Sequence, residues 1–89
     1  MIIQYHPRFK EKFRKFLPHI QEKFYKQVGL LLSDIRYPSL RAKKYDESGD
    51  VWQARVDANV RFYFRIKNDI YLLLRLKNIR NNISYTCTI

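Results

Sequence analysis

The 89-residue chain carries 18 Lys and Arg against 8 Asp and Glu, a formal charge of +10 and a pI near 10.0, with 46% hydrophobic and 16% aromatic residues. A chain this short supports one core, so a single domain over residues 1–89 is expected, and its apolar content excludes a disordered class. The field of such a charge attracts polyanions, which makes nucleic acid the expected partner; no basic helix has an apolar face to spare for a membrane surface.

Cys87 stands alone, so no internal disulfide and no Cys/His cluster for metal binding or catalysis is expected. No run of about 18 apolar residues occurs, and Met1 to Pro7 lacks the layout of a signal peptide. The expectation is a cytoplasmic protein with no membrane contact, no metal and no small-molecule cofactor.

In chain order, Ile2 to Tyr5 is a β-type run stopped by Pro7, and Pro7 suits the first turn of a helix. From Arg8 to Leu17, Phe9, Phe13 and Phe16/Leu17 recur at helical spacing, with Lys10, Lys12, Arg14 and Lys15 on the other side. Pro18 breaks this pattern, and Ile20, Phe24, Val28, Leu31, Leu32 and Ile35 restart it, so a two-helix hairpin follows the strand. Gly29 costs this second helix about 1 kcal/mol relative to Ala and leaves room for another backbone to approach.

After the turn at Tyr37-Pro38-Ser39 the period changes to 2. Strands are expected over Leu40 to Tyr45, Val51 to Val56, Val60 to Ile66 and Ile70 to Lys77. A polar loop at Asp46 to Asp50 and turns at Asp57-Ala58-Asn59 and Lys67-Asn68-Asp69 separate them. Asn78 to Ile89 has no clear period. The fold class read from this order is α+β: an N-terminal strand and a two-helix hairpin on one face of a four-stranded antiparallel sheet.

Alternation puts Trp52, Ala54, Val56, Val60, Phe62, Phe64 and Ile66 on the face that covers the helices. Gln53, Arg55, Arg61, Tyr63 and Arg65 take the opposite face. With three-residue turns at both connections, Val56 meets Val60 and Ile66 meets Ile70, which sets Arg55, Arg61 and Arg75 side by side, with Tyr63 and Gln53 one step along. Like charges in such a row repel unless anions sit between them; the plainer reading is that each arginine reaches into water.

Four segments resemble the RelE/ParE toxin superfamily in order and spacing. They are the Leu-Pro-x-Ile-Gln step at Leu17 to Gln21, Pro38-Ser39-Leu40 followed by Lys43-Lys44, Trp52-x-x-Arg55-Val56, and Asn59-x-Arg61-x-x-Phe64-Arg65-Ile66. RelE-like members are ribosome-dependent mRNA endonucleases, and the resemblance implies metal-free cleavage in which the RNA 2′-hydroxyl attacks the adjacent phosphate. That chemistry needs a base, an acid and cations for the phosphorane charge, the last a role suited to the planar fork of arginine.

The resemblance places Arg61 on the family's strand arginine, for phosphate stabilisation or for plain RNA contact. Arg55 takes the place of a catalytic lysine if the turn is one residue shorter here; an ungapped match puts Ala54 there. Tyr85 matches the family's C-terminal tyrosine, and Arg80 lies one residue from its C-terminal arginine. Lys43 and Lys44, with Gln53, Tyr63, Arg65, Arg75 and Lys77, are the expected RNA-binding set. His6 and His19 lie in the helical half and read as surface or capping residues.

The resemblance also implies a cognate antitoxin protein, offering an acidic amphipathic segment that folds as it binds, and mRNA on the ribosome as the target. Two alternatives belong to the same superfamily: a non-catalytic ParE-like gyrase inhibitor, and a degenerate RNA-binding member. Lys77-Asn78-Ile79-Arg80 does not resemble the His-Gly-Arg-Arg ending of ParE-like chains, which favours RNA cleavage.

Overall fold

A computed structural model describes residues 1–79. Strand β1 (Ile2–Tyr5) leads into a short helix α1 (Phe9–Phe13) and a long helix α2 (Pro18–Ser33). A 3-10 turn (Pro38–Leu40) then opens the strands β2 (Lys43–Asp46), β3 (Val51–Arg55), β4 (Val60–Lys67) and β5 (Ile70–Asn78).

Helix α1 ends sooner than its apolar spacing predicts because Pro18 disfavours helical backbone at the residue before it, and Leu17 is extended at φ −62° and ψ 149°. Two of the carbonyls left at its end, those of Phe16 and Phe13, accept hydrogen bonds from Gln21 Nε2 at 2.8 and 3.4 Å. Pro18 then starts α2 at a position that needs no amide donor. The Asp34 carboxylate accepts the Arg36 amide at 2.9 Å and closes α2 before Ile35. Gly29 is exposed, and a Cβ added there meets nothing within 4 Å, so no backbone takes up the room it leaves.

The sheet has five strands in the order β1-β5-β4-β3-β2. This corrects the expected four-stranded antiparallel sheet: β1 is a strand of it, parallel to β5, with Ile2 beside Ile70 and Tyr5 beside Leu73. The amides and carbonyls at the outer side of β5 are satisfied this way. Leu40 lies in the 3-10 turn, fully buried, and the following strand starts only at Lys43. Between them Arg41 takes a left-handed conformation, φ 47° and ψ 44°.

Both helices cover one face. Phe24 sits at 0% exposure between Phe9, Phe13 and the sheet residue Phe62, with ring centroids 5.1–5.5 Å apart, edge-on to Phe62. Phe62, Phe64, Leu73 and Leu40 are also sealed from solvent. Each such side chain contributes roughly 1.5–3 kcal/mol on burial.

The β3–β4 connection has the expected three-residue turn: the Val56 amide donates to the Val60 carbonyl at 2.9 Å. The β4–β5 connection does not. Lys67 pairs directly with Ile70 across Asn68, which takes φ 55°, and Asp69. The ladder then runs regularly to Phe64↔Leu73 and jumps to Tyr63↔Arg75, so Leu74 is an extra residue in β5. The bulge keeps Leu76 inside opposite Phe62 despite the changed turn. Together with the shorter turn it moves Arg75 by two residues, from the expected place opposite Arg61 to one opposite Tyr63.

Candidate nucleic-acid interface

The face of the sheet away from the helices carries two rows of side chains. One is Arg55↔Arg61↔Lys77, and the other is Lys43↔Gln53↔Tyr63↔Arg75. The expected Arg55–Arg61–Arg75 row is therefore corrected: Lys77 stands beside Arg61, and Arg75 beside Tyr63. The two-residue β4–β5 turn and the Leu74 bulge, one residue each, together cause the exchange.

Arg61 is half-buried and held by the turn before it. Its Nη1 donates to the carbonyls of Asp57 at 2.7 Å, Val60 at 3.2 Å and Ala58 at 3.3 Å. Nη2 and Nε have no partner among the described residues, which leaves one edge of the fork for an anion. Burial, followed by the neighbouring Arg55 guanidinium, pulls the Arg61 pKa below the usual arginine value. Arg55 Nε is shielded from solvent and has no hydrogen-bond partner among the described residues. Among the described residues neither arginine has a carboxylate partner; the ion pairs there join Arg36 to Asp34 and Lys44 to Asp50 and Glu47.

Tyr63 departs from its expected role as a contact. It is 2% exposed, with Tyr45 packed edge-on at 4.9 Å and the Arg75 guanidinium over its ring at 4.8 Å. The ring is thus already in contact with both Tyr45 and the Arg75 guanidinium. Burial first, and then Tyr45, hold its phenol above the usual tyrosine pKa.

Lys44 pairs with Trp52, on the opposite side of the sheet from Lys43 and Gln53. Its Nζ lies 2.6 Å from Asp50 and 3.9 Å from Glu47, within 5.8 Å of the Trp52 ring, so the structure does not bring it to the basic rows. Lys43 and Arg65 are exposed, Arg65 beyond Tyr63 on the same strand. Arg80 and Tyr85 lie outside the described residues. His6 is exposed; its Nδ1 accepts the Arg8 amide at 3.2 Å, a local capping contact.

Periodicity alone missed Gln27. It is 7% exposed on α2, and its Nε2 donates to the carbonyls of Arg55 at 2.8 Å and Ser39 at 3.3 Å. It ties the helix to the end of β3 that carries Arg55. A lone glutamine among the apolar positions of α2 was the available signal. Among the described residues no three His, Cys, Asp or Glu side chains gather as a metal would require, and no helix is long and apolar enough to cross a membrane.

No family model and no curated protein matches this sequence. Solved structures do match it in shape. RelE in the archaeal RelE–RelB complex from Pyrococcus horikoshii OT3 superposes with a TM-score of 0.71 over 86% of this chain and 92% of that one, at 15% identity. The fold is that of the RelE-like toxins. The YoeB/ParE toxin from Agrobacterium tumefaciens gives 0.73 over 88% of this chain and 98% of its own, at 11% identity. YafQ from E. coli strain BL21(DE3) gives 0.72 over 90% and 94%, at 13% identity. The RelE-like fold is thus retained with very different side chains, and what the sheet does here depends on the residues that this chain itself places on it.

Proposed function

We propose that the chain is the toxin of a type II toxin–antitoxin pair and a metal-independent endonuclease of ribosome-bound mRNA. One observation carries this reading: on a RelE-like sheet, Arg55, Arg61 and Lys77 form a row with no carboxylate partner among the described residues. Three adjacent cations in a half-buried setting are stabilised by an anion, and RNA supplies phosphates at regular spacing.

In the proposed reaction the 2′-oxygen attacks the adjacent phosphorus, its proton passes to a base, and the 5′-oxygen leaves with a proton from an acid. Arg61, with its free fork edge, and Arg55 stabilise the charge on the phosphorane. Tyr85 and Arg80 complete the proposed catalytic set. Lys43, Gln53, Arg65, Arg75 and Lys77 contact the flanking RNA, with Tyr63 acting through Arg75. The RelE–RelB and YoeB–YefM complexes among the structural neighbours support an antitoxin partner, and an acidic segment complements a chain of charge +10.

Expression from a tightly repressed promoter, beside Arg61→Ala, tests the reading. Growth arrest with transcripts cut only where translated, both abolished by the substitution, is the expected result. Arrest with intact mRNA would favour a gyrase-type target, and no effect on growth would mean a degenerate member.

A further inference from the structure

At the end of β3 a pocket of about 520 Å³ opens between α2, the 3-10 turn and the β3–β4 turn. Lys23, Lys26, Arg41 and Arg55 line it, with Asp57 as the sole acid among its lining residues. Asp57 is turned into its own loop, where Oδ1 accepts the amides of Asn59 and Val60, each at 2.8 Å. None of the four cations has an ion pair among the described residues.

Two further features mark the pocket as built. Gln27 lines it too, and its two hydrogen bonds fix the helix against the strand end and the 3-10 turn. Arg41 holds a left-handed backbone, a conformation that costs a non-glycine residue about 1 kcal/mol or more and gathers at ligand clamps. Arg55, whose Nε has no partner among the described residues, both lines this pocket and stands in the Arg55–Arg61–Lys77 row.

We infer that this pocket is a second phosphate subsite, which takes a backbone phosphate of single-stranded RNA next to the phosphate held on the Arg61 row. Lys23 and Lys26 act as point charges at the rim, and Arg41 and Arg55 supply the directed donors. The inference rests on the reading of the sheet face as an RNA interface; it does not require that the RNA be cut. Arg55 is the link that passes the strand from one subsite to the other, so RNA runs off the sheet and onto α2.

The test pairs Lys23→Gln/Lys26→Gln with Lys10→Gln/Lys12→Gln, which makes the same charge change on α1, outside the pocket. In the first arm, inorganic phosphate is titrated against chloride at equal ionic strength, and the backbone amides of Arg41 and Ala58 are followed by NMR. Phosphate-specific shifts in the wild type and the α1 variant, absent from the pocket variant, are expected. No phosphate-specific shift in the wild type overturns the subsite.

In the second arm, a single-stranded 2′-O-methyl RNA that cannot be cleaved is bound over a range of salt concentrations. The slope of log affinity against log salt should fall by about 0.7 for each lysine that loses a phosphate, and by more in the pocket variant than in the α1 variant. Equal slopes in the two variants overturn the RNA assignment; with the phosphate shifts intact, they would assign the pocket to a free phosphate compound. If the wild type binds this RNA through the pocket yet cuts no translated mRNA, the nuclease reading fails and the subsite stands.

Discussion

Arg61 shows how one side chain serves two ends. Its Nη1 closes the β3–β4 turn through three carbonyls, and its other edge is left for an anion. Arg61→Lys keeps the charge and loses the fork. Activity on translated mRNA should fall by about 10²–10³-fold, and urea unfolding should show a stability loss of about 1 kcal/mol. Equal activity would remove Arg61 from the site. Tyr63 gives a pH dependence of definite sign: burial first, and then Tyr45, raise its pKa in the folded state. Its contribution to stability is therefore intact below the unfolded value of about 10 and is lost as pH rises through the folded value. Alkaline unfolding should be shallower for Tyr63→Phe than for the wild type, with Tyr71 responsible for part of what remains. Identical alkaline profiles would show that Tyr63 does not drive the transition.

At the scale of elements, Gly29 and Leu74 are both anomalies, and both permit prediction. Gly29 lies within α2 with open space around it, so Gly29→Ala should stabilise by about 1 kcal/mol in urea melts. Leu74 is the extra residue of β5, preceded by Leu72 and Leu73. Removing one leucine of the three leaves Tyr71, Leu73 and Leu76 inside with regular alternation. The shortened chain should therefore stay folded and within about 1 kcal/mol of the parent, because no core side chain changes face. Aggregation or loss of near-UV dichroism would show instead that the bulge is required. The leucine run also explains what the sequence concealed. Helices and strands were legible from the switch of period, and the three-residue turn after Val56 from apolar pairing. Three identical leucines carry no alternation, so the β4–β5 register could not be read through them, and Arg75 was assigned opposite Arg61, two residues from its partner Tyr63. The basic face was legible, because period 2 separates Arg55 and Arg61 from Ala54 and Phe62. Burial of Tyr63 was not, because Tyr45 reaches it from another strand.

For the whole molecule, 18 cations against 8 acids leave strong self-repulsion, and the carboxylates placed in ion pairs serve Lys44 and Arg36 rather than the basic face. Raising salt should therefore raise the thermal midpoint, contrary to what stabilising surface ion pairs would give, and sulfate should act more strongly than chloride at equal ionic strength. A midpoint that falls with salt would contradict this. The pocket beside α2 could not have been found along the chain, because Lys23, Arg41 and Arg55 meet only through the packing of α2 on the sheet. The parallel pairing of β1 with β5 has a consequence in time. Ile2 leaves the ribosome early in synthesis, and its partner Ile70 follows only after nearly all the described chain. Until then β1 has no strand to join, so the sheet is completed late and in one step. A nascent chain of this kind holds its first strand unpaired until the last strand of the sheet has been made.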